Sequence, residues 1–264
     1  MLELNHVYKT FNPGTINAKT ALQDLCLTLN DGDFVTVIGG NGAGKSTMLN
    51  AVAGTFAVDA GTIAIDGKDV THLPEHKRAQ FIGRVFQDPM MGTAPTMQIE
   101  ENLALAARRG KRRGLAWGIT RAEREEYREK LKTLGLGLED RMTSKVGLLS
   151  GGQRQALTLL MASLRRPELL LLDEHTAALD PATAAKVLEL SDRIVAENHL
   201  TAMMITHNMR DAIIHGNRLI MMNAGKIILD ISGEEKKQLT KEDLLARFAA
   251  VAGQQEETDS VLLS

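Results

Sequence analysis

Gly39-Gly40-Asn41-Gly42-Ala43-Gly44-Lys45-Ser46-Thr47 decides how this chain is read. The stretch fits G-x-x-x-x-G-K-[ST], and its flanks supply the context that pattern needs. In front of it, Phe34-Val35-Thr36-Val37-Ile38 is apolar and β-branched and follows the turn residues Asp31-Gly32-Asp33. That combination makes a short buried strand. Behind it, Met48 to Ala53 has helix-forming character and stops at Gly54. Strand, glycine loop and helix together make a phosphate-binding loop. Glycines let the backbone turn tightly, so that successive N–H groups converge on phosphate oxygens. The helix N-terminus adds partial positive charge. Lys45 is placed to reach β- and γ-phosphates, and the Ser46 hydroxyl to ligate Mg²⁺. The bland alternative is a Gly-rich turn, and the flanking strand and helix argue against it.

The chain has 264 residues, enough for one large α/β domain or two small ones, and 44% of them are hydrophobic. A formal net charge of −2 argues against bulk nucleic-acid binding, so no nucleic-acid partner is expected. The single cysteine, Cys26, lies in an apolar alternating run. It has no intrachain disulfide partner and reads as a buried structural thiol. No uninterrupted apolar stretch approaches the roughly 18–20 residues of a membrane span. Met1-Leu2-Glu3-Leu4-Asn5-His6 lacks a basic-then-apolar signal pattern. The expectation is a chain that is soluble when isolated, lies on the cytoplasmic side, and meets a membrane only through a partner.

Leu2 to Val7 and Leu25 to Leu29 alternate apolar and polar residues, as half-buried antiparallel strands do. Phe11-Asn12-Pro13-Gly14 turns between them, and Thr62 to Ile65 with Asp66-Gly67 adds a further strand and turn. Phe81 to Phe86 is a short strand that Pro89 ends. Glu100 to Arg109 is helical, and Thr120 to Leu134 is a charged helix with Thr120 as cap and Glu123 three residues on. Residues from about 88 to 164 therefore read as a helical insertion in an α/β core. The core resumes with Leu169-Leu170-Leu171-Leu172, an apolar run suited to a doubly buried parallel strand. Pro181 to Glu197 is a helix, Thr201 to Ile205 a strand, and Arg218 to Met222 with Lys226 to Ile231 a hairpin. The expected unit spans residues 1–250, followed by a polar, frayed tail over 251–264.

Three of these strands end in reactive residues. Ile38 leads into the glycine loop, Leu172 into Asp173-Glu174, and Ile205 through Thr206 into His207. Ligands in open α/β sheets bind at the carboxyl ends of strands, so the three groups should converge on one nucleotide. Asp173 has the place of a Walker B carboxylate and would hold Mg²⁺ beside Ser46. Glu174 would orient or deprotonate the water that attacks the γ-phosphate, and His207 would hydrogen-bond that phosphate. Taken singly, Asp-Glu after a strand reads as a solvated turn and His207 as a polar boundary residue. Leu149-Ser150-Gly151-Gly152-Gln153-Arg154-Gln155 opens a second helix with a hydroxyl and bare backbone donors. Alone it is an N-cap with Ser150 as cap. Beside the first loop it suggests a site for the nucleotide of a neighbouring molecule.

With these motifs in order, the sequence resembles the nucleotide-binding subunit of an ATP-binding cassette (ABC) transporter over about residues 2–240. Leu149 to Gln155 matches the family's signature motif, Gln87 its Q-loop, Ala178-Leu179-Asp180 its D-loop and His207 its switch histidine. Phe11, two residues past Lys9, matches the aromatic that stacks on adenine. The resemblance implies an α/β P-loop NTPase core with an antiparallel β-subdomain and an inserted helical subdomain, the ABC ATPase fold. It implies ATP and Mg²⁺, with Ser46, Gln87 and Asp173 at the metal and Lys45, Gln87, Glu174 and His207 in catalysis. It also implies a head-to-tail homodimer in which ATP lies between one subunit's Gly39–Thr47 and the other's Ser150, Gly151, Gly152 and Gln153, with Asp180 nearby. Integral-membrane permease subunits and an extracytoplasmic solute-binding protein are the implied partners, and the groove near Gln87 to Asn102 would receive a permease helix. The chain would then sit peripherally on the inner membrane.

Two departures from the family pattern are visible. Gly40 replaces a residue that is often proline, which loosens the loop, and His175 and Ala177 replace the more usual Pro and Ser. His175, directly after Glu174, would bear on dimer contacts or pH dependence. The run Arg108-Arg109-Gly110-Lys111-Arg112-Arg113 reads first as a solvated loop face, second as a contact with permease loops or anionic headgroups, and only third as a nucleic-acid contact. Trp117 beyond it would anchor at an interface or pack. Gly92 to Met97 resembles bacterial cassettes of amino-acid uptake, of the tryptophan and tyrosine type. The rival class is a soluble ABC ATPase in cofactor assembly. Translation-type members carry two cassettes, and repair-type members need a long coiled coil for which the stretch between Phe86 and Leu149 is too short.

Overall fold

The structure is a computed structural model that describes residues 1–111 and 118–250. The expectations for Arg112, Arg113, Trp117 and the 251–264 tail fall outside the described residues. In chain order, β1 (Leu2–Phe11) and β2 (Lys19–Leu29) form a hairpin, and β3 (Phe34–Gly39) runs into α1 (Lys45–Ala53). β4 (Ala60–Ile65), β5 (Lys68–Asp69), α2 (Glu75–Arg78) and β6 (Ile82–Val85) follow. Next come α3 (Ile99–Ala107), α4 (Arg121–Lys132), α5 (Gly151–Ser163), β7 (Leu169–Asp173), α6 (Pro181–Glu197) and β8 (Ala202–Ile205). The chain continues through α7 (Met209–Ile214), β9 (Arg218–Asn223), β10 (Lys226–Ser232) and α8 (Gly233–Gln238).

The strands sort into a four-stranded sheet, β2-β1-β4-β5, and a six-stranded sheet, β10-β9-β3-β8-β7-β6. The first is antiparallel throughout. The second is parallel except for β10, which returns antiparallel along β9. The leucine run shows why the parallel strands carry unbroken apolar sequence. Leu170 and Leu172 enter the cluster under the helices, with Leu157, Leu159 and Met204. Leu169 and Leu171 enter the opposite cluster, with Met48, Val52, Leu2 and Ile63 from α1 and the antiparallel sheet. A strand buried on both faces needs apolar side chains at every position. The cluster under the helices continues without a break into α3 and α4 through Ile99, Leu103, Tyr127 and Leu131.

Local chemistry sets the helix ends. Thr120 and Glu123 form the expected capping box on α4, and Ser150 and Gln153 form another on α5. Asp180 caps α6, where Pro181 occupies the first turn. The helix expected to reach Arg109 stops at Ala107.

Two expectations need correction here. Cys26 is exposed. In β2 it is Leu25, Leu27 and Leu29 that take the inward positions, so the residue between the first two points out. Arg108 and Arg109 are not a solvated face either. Arg108 donates to the Ala104 carbonyl at 2.9 Å and to Glu123 at 3.0 Å. Arg109 donates to the carbonyls of Ala162 at 3.2 Å and Arg165 at 2.8 Å. Their forked guanidinium groups tie the end of α3 to α4 and to the loop after α5, which a charge run read in sequence does not reveal.

Candidate functional site

The loop between β3 and α1 walls a cleft of about 330 Å³ lined by Asn41, Gly42, Ala43, Gly44, Lys45, Ser46 and Thr47, with Phe11, Lys19, Ala21 and Glu174 opposite. The backbone there needs glycine. Gly39 has φ +149°, and a Cβ on it would stand 2.2 Å from the Met222 carbonyl oxygen. Gly44 is the N-cap of α1 and is left-handed at φ 102°. It brings no capping side chain, and the first turn holds no acidic residue. The amides of Lys45, Ser46 and Thr47 have no acceptor among the described residues. A helix start left bare in this way is an anion site. Lys45 is buried and its ammonium folds back on the loop, donating to the carbonyls of Gly39 at 2.8 Å and Gly40 at 3.1 Å. The charge is thus held at the mouth of the loop by two bonds, with one proton left for a ligand.

Glu174 reaches the cleft through an uncommon backbone. Its φ is +44°, the left-handed region, which an L residue enters at a cost of about 1–2 kcal/mol. Its amide donates to the Ile205 carbonyl at 3.1 Å and its carbonyl accepts from Ala177 at 3.0 Å, which fixes the turn. The carboxylate then lies 3.6 Å from the Nδ1 of His207, which follows β8 and is two-thirds exposed. Asp173 ends β7 beside it. Burial pushes its carboxyl up from the ordinary value, and the Arg84 guanidinium at 3.4 Å opposes that shift. A carboxylate so poorly compensated favours a cation. The Ser46 hydroxyl is exposed and has no protein partner among the described residues. A bare hydroxyl and an under-paired carboxylate are oxygen donors of the kind Mg²⁺ takes, so the residues present fit that ion.

Residues 22–177 match the family described as ABC transporter. This chain belongs to the ABC transporter family. It is an ATPase, the ATP-binding and ATP-hydrolysing subunit that energises transport. A tyrosine transport ATP-binding protein of Clostridioides difficile (strain R20291) is 44% identical over 248 residues, covering 94% of this chain and 98% of that protein. A spermidine/putrescine import ATP-binding protein of Haemophilus ducreyi is 34% identical across 94% of this chain, which spans only 62% of that protein's length. Among solved structures, a dimeric ATP-binding cassette in a post-hydrolysis state bound to ADP and Pi superposes with a TM-score of 0.74 at 30% identity, covering 88% of this chain and 98% of that one. The fold read from the sequence is therefore the fold found.

Within the ABC ATPase, two sets of the expected site residues each line a hollow of their own, while His207 lines a third. Phe11 and the loop from Asn41 to Thr47 share the cleft with Glu174. Ser150, Gly152 and Gln153 line a different hollow, with Leu136, Thr183 and Lys186. Gly152 is confined by that packing: a Cβ on it would meet the Thr183 methyl at 2.2 Å. Asp180 is engaged as the cap of α6, accepting from Thr183 at 3.1 Å. Gln87 follows β6 and is exposed. No membrane-crossing helix is present among the described residues.

His175 departs from one of its two expectations, the dimer contact. It is 2% exposed, so it offers nothing to a dimer surface. Its Nε2 pairs with the Ser191 hydroxyl at 2.9 Å inside the fold. Burial, with His215 nearby, pulls its pKa down to about 4. At Gly40 a Cβ would meet nothing within 4 Å. Sequence reasoning missed Lys19 and Arg84. Lys19 is the register partner of Phe11 at the turn end of the hairpin, so the pairing that places the aromatic also brings a cation to the cleft. Pairing β1 with β2 was the available signal. Arg84 stacks on Phe86 at 4.5 Å and donates to Asn50 at 2.6 Å on its way to Asp173.

Proposed function

We propose that this ABC ATPase powers an amino-acid importer as a head-to-tail pair of identical subunits. The carrying observation is the separation of the two anion-seeking helix starts. Gly42 to Thr47 line one cleft and Ser150, Gly152 and Gln153 line another hollow. One subunit thus offers half of a closed site, and a second copy turned head to tail would supply the other half. The 44% identity to a tyrosine transport ATP-binding protein supports amino acids as the cargo class.

In this reading Phe11 stacks on adenine, Gly39 and Gly40 shape the loop, and the amides from Asn41 to Thr47 with Lys45 bind the phosphates. Ser46, Asp173 and Gln87 hold Mg²⁺, which neutralises charge on the β- and γ-phosphates. Glu174 orients the attacking water and takes its proton, held towards the cleft by its left-handed backbone. His207, 3.6 Å from that carboxylate, hydrogen-bonds the γ-phosphate. Ser150 to Gln153 of the facing subunit close over the phosphate, and Asp180 lies at the seam. ATP binding favours the closed pair and hydrolysis the open one. Residues 1–250 act as one unit, with 88–164 as the insertion facing the permease. The chain works peripherally at the cytoplasmic face of the membrane with permease subunits and a solute-binding protein.

The test is Glu174→Gln, which removes the base but keeps the size and polarity. With ATP and Mg²⁺ the variant should turn over very slowly and run as a dimer by light scattering. From gently solubilised membranes it should co-purify with a polytopic permease. A fully active variant would refute the role of Glu174. Recovery of soluble partners alone would refute the transporter assignment of cargo and membrane site while leaving the ATPase standing.

A further inference from the structure

The outer face of the β1–β2 hairpin gathers three donor groups of different chemistry around one point. The His6 Nδ1 lies 2.7 Å from an Asp24 carboxylate oxygen and 3.7 Å from the Cys26 sulfur. All three ligand atoms lie within 4.8 Å of one another. None of these residues lines the nucleotide cleft.

Two opposed β-bulges create the arrangement. From the pair Leu4↔Leu27 to Val7↔Leu25, β1 gains a residue on β2. From Val7↔Leu25 to Lys9↔Leu22, β2 gains one on β1. His6, at φ +50°, and Asp24, at φ +53°, are the left-handed residues of these two bulges. Plain alternation from Leu4 and from Leu22 would have turned both side chains into the core. The bulges turn them out, beside Cys26, which alternation already exposes.

A thiolate, an imidazole and a carboxylate form a donor set for borderline divalent transition ions, and a poor one for Mg²⁺. In a tetrahedral zinc site with bonds of about 2.0–2.3 Å, adjacent ligand atoms stand roughly 3.3–3.7 Å apart. The sulfur–nitrogen spacing already matches. The nitrogen–oxygen spacing has to widen by about half an ångström to reach that range, which exposed side chains achieve by rotation. The two anionic donors balance the charge of a divalent ion, with Lys226 the cation near Asp24.

We propose that His6, Asp24 and Cys26 form a surface site for one divalent transition ion of the Zn²⁺ class, with solvent completing its coordination. Such an ion would tie β1 to β2 where the bulges interrupt their ladder. The hairpin's turn end carries Phe11 and Lys19 into the nucleotide cleft.

The test uses untagged protein without nucleotide or Mg²⁺, titrated with Co²⁺ and then Zn²⁺. The chain has a single cysteine, so a thiolate-to-cobalt charge-transfer band reports this site alone. The wild type should take up one equivalent with that band, and Zn²⁺ should abolish it. Cys26→Ser should lose the band. His6→Gln should weaken Zn²⁺ binding, measured against a chromophoric chelator, by at least about tenfold. Unchanged ATP turnover with Mg²⁺ in both variants verifies their fold. No thiolate band in the wild type, or equal Zn²⁺ affinity in all three proteins, would overturn the proposal.

Discussion

Arg78→Met probes how the phosphate-binding helix is anchored. Arg78 is 2% exposed. Its Nη1 donates to the carbonyls of Ala51 at 2.7 Å and Val52 at 2.9 Å, at the C-terminal end of α1. Its Nη2 reaches the Thr71 carbonyl at 2.9 Å and its Nε the Leu73 carbonyl at 2.8 Å. A positive group at a helix C-terminus also complements the macrodipole. Methionine fills much of the same volume but removes the donor from all four carbonyls, although the Ala51 carbonyl keeps the Gly54 amide at 3.2 Å. Hydrogen bonds from a charged donor contribute about 1.5–3 kcal/mol each, so four give about 6–12 kcal/mol gross. Releasing the guanidinium from its dry site returns several kcal/mol. The net loss is therefore about 3–5 kcal/mol. At about 2–4 °C per kcal/mol for a domain of this size, Tm should fall by roughly 10 °C. Urea unfolding with linear extrapolation measures the free energy directly. Nucleotide affinity of the folded fraction should change little, because the N-terminal end of α1 carries the phosphate amides. A loss under about 1 kcal/mol would refute this account of a buried arginine serving four carbonyls.

The two loop glycines should separate cleanly. Gly39→Ala drives a Cβ to 2.2 Å from the Met222 carbonyl oxygen and should abolish nucleotide binding or folding, whereas Gly40→Ala meets nothing within 4 Å and should be neutral or stabilising by up to about 1 kcal/mol, read by calorimetry and ATP binding. Lys45→Ala should abolish nucleotide binding or turnover, and unchanged ATPase activity would remove the basis for the phosphate site. His175 should make stability depend on pH. Its folded pKa of about 4 lies below the ordinary value of 6.5, so the unfolded chain binds the extra proton. Its contribution is complete above about pH 6.5 and falls as pH drops towards 4, by roughly 3 kcal/mol in all. The difference between wild type and His175→Gln in urea titrations at pH 7.5 and pH 4.5 isolates this share, and parallel pH profiles would dismiss it.

The sequence by itself determined the elements whose causes are local. Four leucines in a row can be satisfied only by burial on both faces, which made β7 a central strand before any coordinates. Thr120 with Glu123, and Asp180 before Pro181, announce helix starts because a cap acts on amides two or three residues away. The ordered motifs likewise placed the phosphate loop, Glu174 and the second helix start. Only the tertiary structure decided the fate of polar side chains whose partners are distant in sequence. Arg78, buried, and Arg109, half-buried, are charged residues that folding sets against carbonyls from other segments, and His175 enters the core against Ser191. His6 and Asp24 were placed by register. One extra residue in each of two strands shifts every later side chain to the other face. Periodicity counted along one strand does not contain that information, because a bulge is a property of the pair.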